Sequence, residues 1–85
     1  MNILIVDDKP ANLLALRKIL TKPGLNIIEA SSGNEALALL LEHDFALILL
    51  DVQMPDMDGF EVAEIMRGNE ETKNIPIIFV TAISK

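Results

Sequence analysis

Apolar and polar positions fall in alternating blocks along this chain. Residues 3–6, ILIV, form a short β-branched run that stops on Asp7 and Asp8. Pro10 suits the first turn of a helix, and Leu13, Leu16 and Leu20 then recur at helical spacing, with Asn12, Arg17 and Lys18 left for solvent. Lys22-Pro23-Gly24 stops that helix. Residues 25–30 read as a second strand, and Ser31-Ser32-Gly33 supplies a turn with helix-capping candidates. Ala36, Leu37, Leu40 and Leu41 mark the buried side of a second helix closing near His43-Asp44. Residues 45–50, FALILL, are apolar at every position, the pattern of a parallel strand covered on both faces. A loop over 52–58 leads into a third helix from about Gly59 to Arg67, with Val62, Ala63 and Met66 facing inward. The polar stretch 68–74 reads as a surface loop, and residues 77–80, IIFV, as a fourth strand ending on Thr81.

The order β-α-β-α-β-α-β predicts an α/β fold: a doubly wound parallel sheet with right-handed crossovers and helices on both faces. In such sheets the functional crevice lies outside the carboxyl ends of the strands, where the strand order reverses. Those ends carry Asp7 and Asp8, Asp51 and Thr81, whereas the second strand ends in Ala30, Ser31 and Ser32 without an acid.

Composition narrows what that crevice can be. The chain has 85 residues, room for one domain. Half of it is apolar, but its only aromatic residues are three phenylalanines, so the core is aliphatic. Cysteine is absent, which removes disulfides and thiolate metal sites and fits a reducing compartment. A net charge of −6 argues against a nucleic-acid groove. The N-terminal apolar run is too short for a signal peptide, and no run approaches the ~20 residues of a membrane-spanning helix. A soluble, acidic, cytoplasmic domain is expected.

Three carboxylates converging on one small site cannot all stay ionised unaided, because like charges raise at least one pKa. A hard divalent cation resolves the conflict with oxygen ligands, and Mg²⁺ suits best; soft ligands for zinc are absent. With a cation present, a carboxylate can attack phosphorus and form an aspartyl phosphate. Asp51, alone at the end of the central buried strand, is the candidate nucleophile. Asp7 and Asp8 are candidate metal ligands, and the Thr81 hydroxyl could bond a phosphoryl oxygen. The plainer reading stands beside this one: Asp7 and Asp8 could simply cap the first helix. Asp56 and Asp58 read as loop and cap residues, His43 as solvated, Met54, Met57 and Met66 as packing, and Glu70-Glu71 as a solvated charge run.

The acid pair in ILIVDDKPANLLALRKIL, the segment LDVQMPDMDGFE and the run IPIIFVTA together resemble the receiver domain of two-component response regulators, over the whole length of the chain. The D-x-x-M-P-x-M-D-G spacing is the specific part. The resemblance implies a flavodoxin-like, CheY-like receiver fold with strand order 2-1-3-4 and Asp51 as phosphoacceptor. The phosphoryl group would come from a histidine of a sensor kinase or a histidine phosphotransfer protein. Asp8, Asp51 and the backbone carbonyl of Gln53 would bind Mg²⁺, with Asp7 acting directly or through a water. Thr81 would be the switch hydroxyl, and Ala82 would present a backbone N–H to the phosphoryl group. Met54-Pro55 and Gly59 would shape the adjoining loop, Pro55 and Gly59 by fixing backbone angles that other residues resist. The module would be regulatory rather than an enzyme, serving an output domain that the sequence does not name.

Receivers usually continue through a fourth helix, a fifth strand bearing a phosphoryl-binding lysine, and a fifth helix. Residues 1–85 therefore read as the N-terminal two-thirds of a single receiver domain, with the fifth strand and last helices missing; Lys85 lies too early to replace that lysine. Impaired phosphorylation is expected, as is self-association through the exposed fourth strand. Two alternatives remain. One is a Mg²⁺-dependent phosphohydrolase with an aspartyl-phosphate intermediate, disfavoured because Gln53 stands where haloacid-dehalogenase-type enzymes need an acid. The other is an inert self-associating fragment.

Overall fold

The computed structural model describes residues 1–80. Four strands and three helices alternate: β1 (Asn2–Val6), α1 (Pro10–Leu20), β2 (Asn26–Ala30), α2 (Gly33–Glu42), β3 (Leu47–Asp51), α3 (Gly59–Arg67) and β4 (Ile77–Val80). Every strand pair is parallel and the sheet order is β2-β1-β3-β4, as the alternation and the resemblance require. The order reverses between β1 and β3: the chain runs from β1 to β2 on one side, then crosses back past β1 to β3 and on to β4.

Period-2 geometry explains why the central strands are apolar at every position. Leu4 and Val6 of β1 join Ile48 and Leu50 of β3 in the core beneath α2 and α3. Ile3 and Ile5 join Leu49 and Leu13 in a second core beneath α1. Both faces are covered, so each side chain is buried whichever way it points. Complete burial of Leu4, Ile48 and Leu50 contributes on the order of 1.5–3 kcal/mol each. This stiff pair of strands is the platform on which the polar rim stands.

Helix starts follow their local chemistry. Ser32 caps α2 by accepting from the Glu35 N–H, and Asp58 opens α3 with a capping box closed by Glu61. α1 begins at Pro10 behind Lys9, whose side chain makes no capping bond.

Several local expectations change. β2 starts at Asn26 and β3 at Leu47, and β3 ends on Asp51 itself rather than before it. Phe45 is buried all the same, its ring meeting His43 edge to face. Leu41 is exposed, because α2 turns only a narrow stripe (Ala36, Leu40 and, in part, Leu37) to the sheet. Arg17 does not point freely to solvent: it pairs with Glu29 and donates to the Ile27 carbonyl, tying α1 to β2. The polar stretch after α3 is not wholly superficial either. Thr72 is buried, donating its hydroxyl to the Met66 carbonyl at the end of α3.

Candidate functional site

Register places the acids. Val6 of β1 lies opposite Leu50 of β3, so the next residues, Asp7 and Asp51, emerge side by side at the carboxyl rim. Asp7 is 3% exposed and Asp51 5%. One carboxylate oxygen from each of Asp7, Asp8 and Asp51 lies within 4.8 Å of the others. β4 brings Val80 opposite Asp51. Thr81 and Ala82, expected to contact a phosphoryl group, lie outside the described residues.

The three carboxylates are not equivalent. Asp7 is fully engaged by the protein: Oδ1 accepts from the Lys9 backbone N–H at 2.9 Å and Oδ2 from Asn12 Nδ2 at 3.0 Å. Its own N–H donates to the Ala30 carbonyl, extending the β1–β2 ladder by one residue. Asp8 presents Oδ1 buried and without a hydrogen-bond partner. A buried oxygen left unpaired is costly, so Asp8 Oδ1 is open to a water or a cation. Asp51 has its pKa raised, first by burial and then by the neighbouring Asp7 charge. The Gln53 backbone N–H and the Lys9 ammonium oppose that rise, and Asp8 adds to it.

The loop after β3 is built to sit close. Met54 is buried in the main core and Met57 packs against it, pinning the loop from below. The Gly59 N–H returns to the Val52 carbonyl at 2.9 Å. A Cβ at Gly59 would collide with the carbonyl oxygen of Asp51. Gly59 is thus required for space, not for an unusual backbone angle as the sequence suggested. The positive φ in this loop belongs to Asp56, at 69°, a conformation that Asp tolerates better than most residues.

The donor set fits a hard divalent cation. It is all oxygen, it clusters, and it contains one buried oxygen free to ligate. Two contributors escaped the sequence reading. Helical spacing directs Asn12 to solvent, and no sequence pattern singles out Lys9. A signal was present: Asn12 occupies the third position of α1, from which a side chain can reach back over the helix N-terminus toward Asp7.

An open parallel α/β sheet with convergent carboxylates at the switch point defines the general class of crevice-binding doubly wound proteins. The comparisons with known proteins specify it. The response regulator receiver domain family matches residues 3–85. The polar-differentiation response regulator DivK of Brucella ovis is 39% identical over 83 residues, covering 98% of this chain and 68% of that protein. Among solved structures, the N-terminal domain of a response regulator receiver protein from Methanoculleus marisnigri JR1 superposes with a TM-score of 0.90 at 36% identity. That match covers 96% of this chain and 67% of the other. The response regulator TrrA of Thermotoga maritima, solved in complex with Mg²⁺–BeF, superposes with a TM-score of 0.87 at 37% identity, over 98% and 70% of the two chains. The chain belongs to the response regulator receiver domain family, whose members are regulatory modules of two-component signalling. No helix among the described residues is long and apolar enough to cross a membrane.

Proposed function

We propose that Asp51 accepts a phosphoryl group from a phosphohistidine of a sensor kinase or histidine phosphotransfer protein. An Asp51 carboxylate oxygen attacks phosphorus and the P–N bond breaks. The imidazole nitrogen leaves with the electron pair and takes up a proton from solvent. Asp8, Asp51 and the Gln53 backbone carbonyl would hold Mg²⁺, which would neutralise charge on the transferring group. Asp7, with both oxygens already accepting hydrogen bonds, would act through a water. Assigning Thr81 and Ala82 to the phosphoryl oxygens rests on the resemblance alone. One observation carries this reading: a buried carboxylate fixed at the end of β3, held beside two others and pushed toward its protonated form by burial and then by their charge.

The test is incubation with Mg²⁺ and either beryllofluoride or acetyl phosphate, followed by intact-mass measurement. A phosphoacceptor forms a stoichiometric adduct that Asp51→Asn abolishes. Catalytic turnover of acetyl phosphate would instead support the phosphohydrolase alternative. Absence of both would leave an inert fragment.

The same reading has a finer part concerning assembly. Among the described residues β4 is an edge strand, and it presents Ile78 at 51% and Phe79 at 41% exposure, with the Phe60 ring tilted against Phe79 at 5.1 Å. An uncovered apolar edge is a template for another strand. The 85-residue chain would therefore associate with a second copy through β4. Light scattering that shows a clean monomer at high concentration refutes this.

A further inference from the structure

Three ion pairs occur among the described residues, and two of them are structural. Arg17 is locked to Glu29 by a second bond to the Ile27 carbonyl, and Lys73 bridges to Glu70 within one turn of chain. The third pair differs. Lys9 Nζ stands 3.8 Å from Asp8 Oδ1, the one buried side-chain polar atom among the described residues that lacks a hydrogen bond. That distance is too long for a hydrogen bond and leaves only attraction between charges.

We propose that Lys9 is a tethered counter-ion of the acid pocket, whose ammonium offsets the carboxylates in the metal-free protein and gives up Asp8 Oδ1 when a divalent cation binds. This rests on the reading of Asp7, Asp8 and Asp51 as a cation site.

Three features support it. The anchor of the side chain is fixed, because the Lys9 backbone N–H is bonded to Asp7 Oδ1. The side chain does no other work: although Lys9 is the residue before α1, it makes no capping bond. It is also easy to displace. Its side chain is 59% exposed, and an ammonium is a strongly hydrated point charge on a flexible stem, so returning it to water costs little. The charge reaches beyond Asp8, since Lys9 also draws the Asp51 carboxyl back toward its ionised form. Lys9 and an incoming cation would thus compete for the same buried oxygen, and cation affinity would be set below what the three acids alone would give.

The test is a Mg²⁺ titration of the full chain followed by amide NMR shifts, since the protein has no Trp or Tyr to report by fluorescence. At low ionic strength Lys9→Met is expected to bind Mg²⁺ about tenfold more tightly than the wild type, with the gap closing as salt screens the charge. Lys9→Arg, which keeps the charge, should restore wild-type affinity. In EDTA, Lys9→Met should melt at a lower temperature, and that loss should shrink in an Asp8→Asn background. Equal Mg²⁺ affinity in wild type and Lys9→Met overturns the proposal while leaving the cation site intact. So does unchanged Mg²⁺ affinity combined with lost beryllofluoride binding, which would make Lys9 a phosphoryl ligand. If neither protein binds Mg²⁺, the reading of the acid site falls, and the proposal falls with it.

Discussion

The sheet carries acids at both ends, and of two clefts lined by described residues the roomier lies at the amino end. Beyond the amino ends of the strands, a cleft of about 450 Å³ is lined by Glu42, His43, Asp44 and Glu71 together with Phe45 and Ile75. At the carboxyl end, the hollow beside Asp7, Asn12, Leu16 and Val80 measures about 180 Å³. Size and acidity both favour the amino end, yet its acids are exposed, and the groups of acids able to share a metal among the described residues comprise only Asp7, Asp8 and Asp51. The difference is burial. An exposed carboxylate is paired by water, so its neighbours hardly matter. At the carboxyl rim water is largely excluded, and Asp51 feels Asp7 strongly enough to shift its pKa. Clustering of acids therefore becomes a site only where the backbone holds them out of water.

The sharpest way to break the comparison is to neutralise one acid at each end. Asp51→Asn is expected to abolish beryllofluoride and acetyl-phosphate adducts completely, whereas Asp44→Asn should leave adduct yield unchanged, both read by intact mass. An Asp44→Asn chain that lost its adduct would place function at the amino end.

Glycine at the two ends of α3 gives the next largest effect. At Gly59 a Cβ meets the Asp51 carbonyl, so Gly59→Ala is expected to cost about 2–3 kcal/mol in denaturant unfolding through forced backbone movement. At Gly68 the backbone has φ −85° and a Cβ would find only ordinary contacts at 3.7 Å. Gly68→Ala should instead stabilise by about 0.4–1 kcal/mol, by restricting the unfolded chain. The same substitution thus has opposite signs at the two ends of one helix: one glycine lies under the site, the other merely ends α3.

These particulars show what the chain made legible. The alternation of ILIV, FALILL and IIFV with helical spacing specified the sheet and its helices, because burial on both faces of the central strands β1 and β3 demands apolar residues along them. The carboxyl-end rule then singled out Asp7, Asp8 and Asp51, which register brings together. Relations that depend on side-chain direction were hidden. Asn12 looked solvent-facing by helical period, yet α1 starts close enough to β1 for its amide to reach Asp7. The reason for Gly59 was equally hidden, since sequence reveals a glycine but not whether angle or space requires it. Arg17 and Leu41 were misplaced because the helical period identifies a stripe without its width.

A pH series in EDTA sharpens the contrast further. Asp51 has a folded-state pKa above its ordinary value of 3.8, so its contribution to stability is fully present below that value. It is lost as pH rises through the raised folded pKa, when the buried carboxyl must ionise beside Asp7. Asp51→Asn should remove this loss, making the variant more stable than wild type at neutral pH and not at low pH. Added Mg²⁺ should also remove it from the wild type. Asp44→Asn and Glu71→Gln should track the wild-type curve throughout; a shared change would show that burial is not what distinguishes the ends. Asn12→Ala should then cost about 1.5–3 kcal/mol, the value of one hydrogen bond to a charged group.

The smallest effect tests the bland half of the comparison. Glu71 lines the amino-end cleft but is exposed, and its backbone N–H donates to Asn69 Oδ1. Its carboxylate does nothing that water does not do equally well. Glu71→Gln should therefore shift stability by less than about 0.5 kcal/mol at any pH, and leave Mg²⁺ affinity unchanged. The backbone bond to Asn69 survives the substitution, so a larger change could not be assigned to lost structure in the loop. It would mean that the amino-end acids act together through the cleft, and that exposure alone had hidden a second charged site.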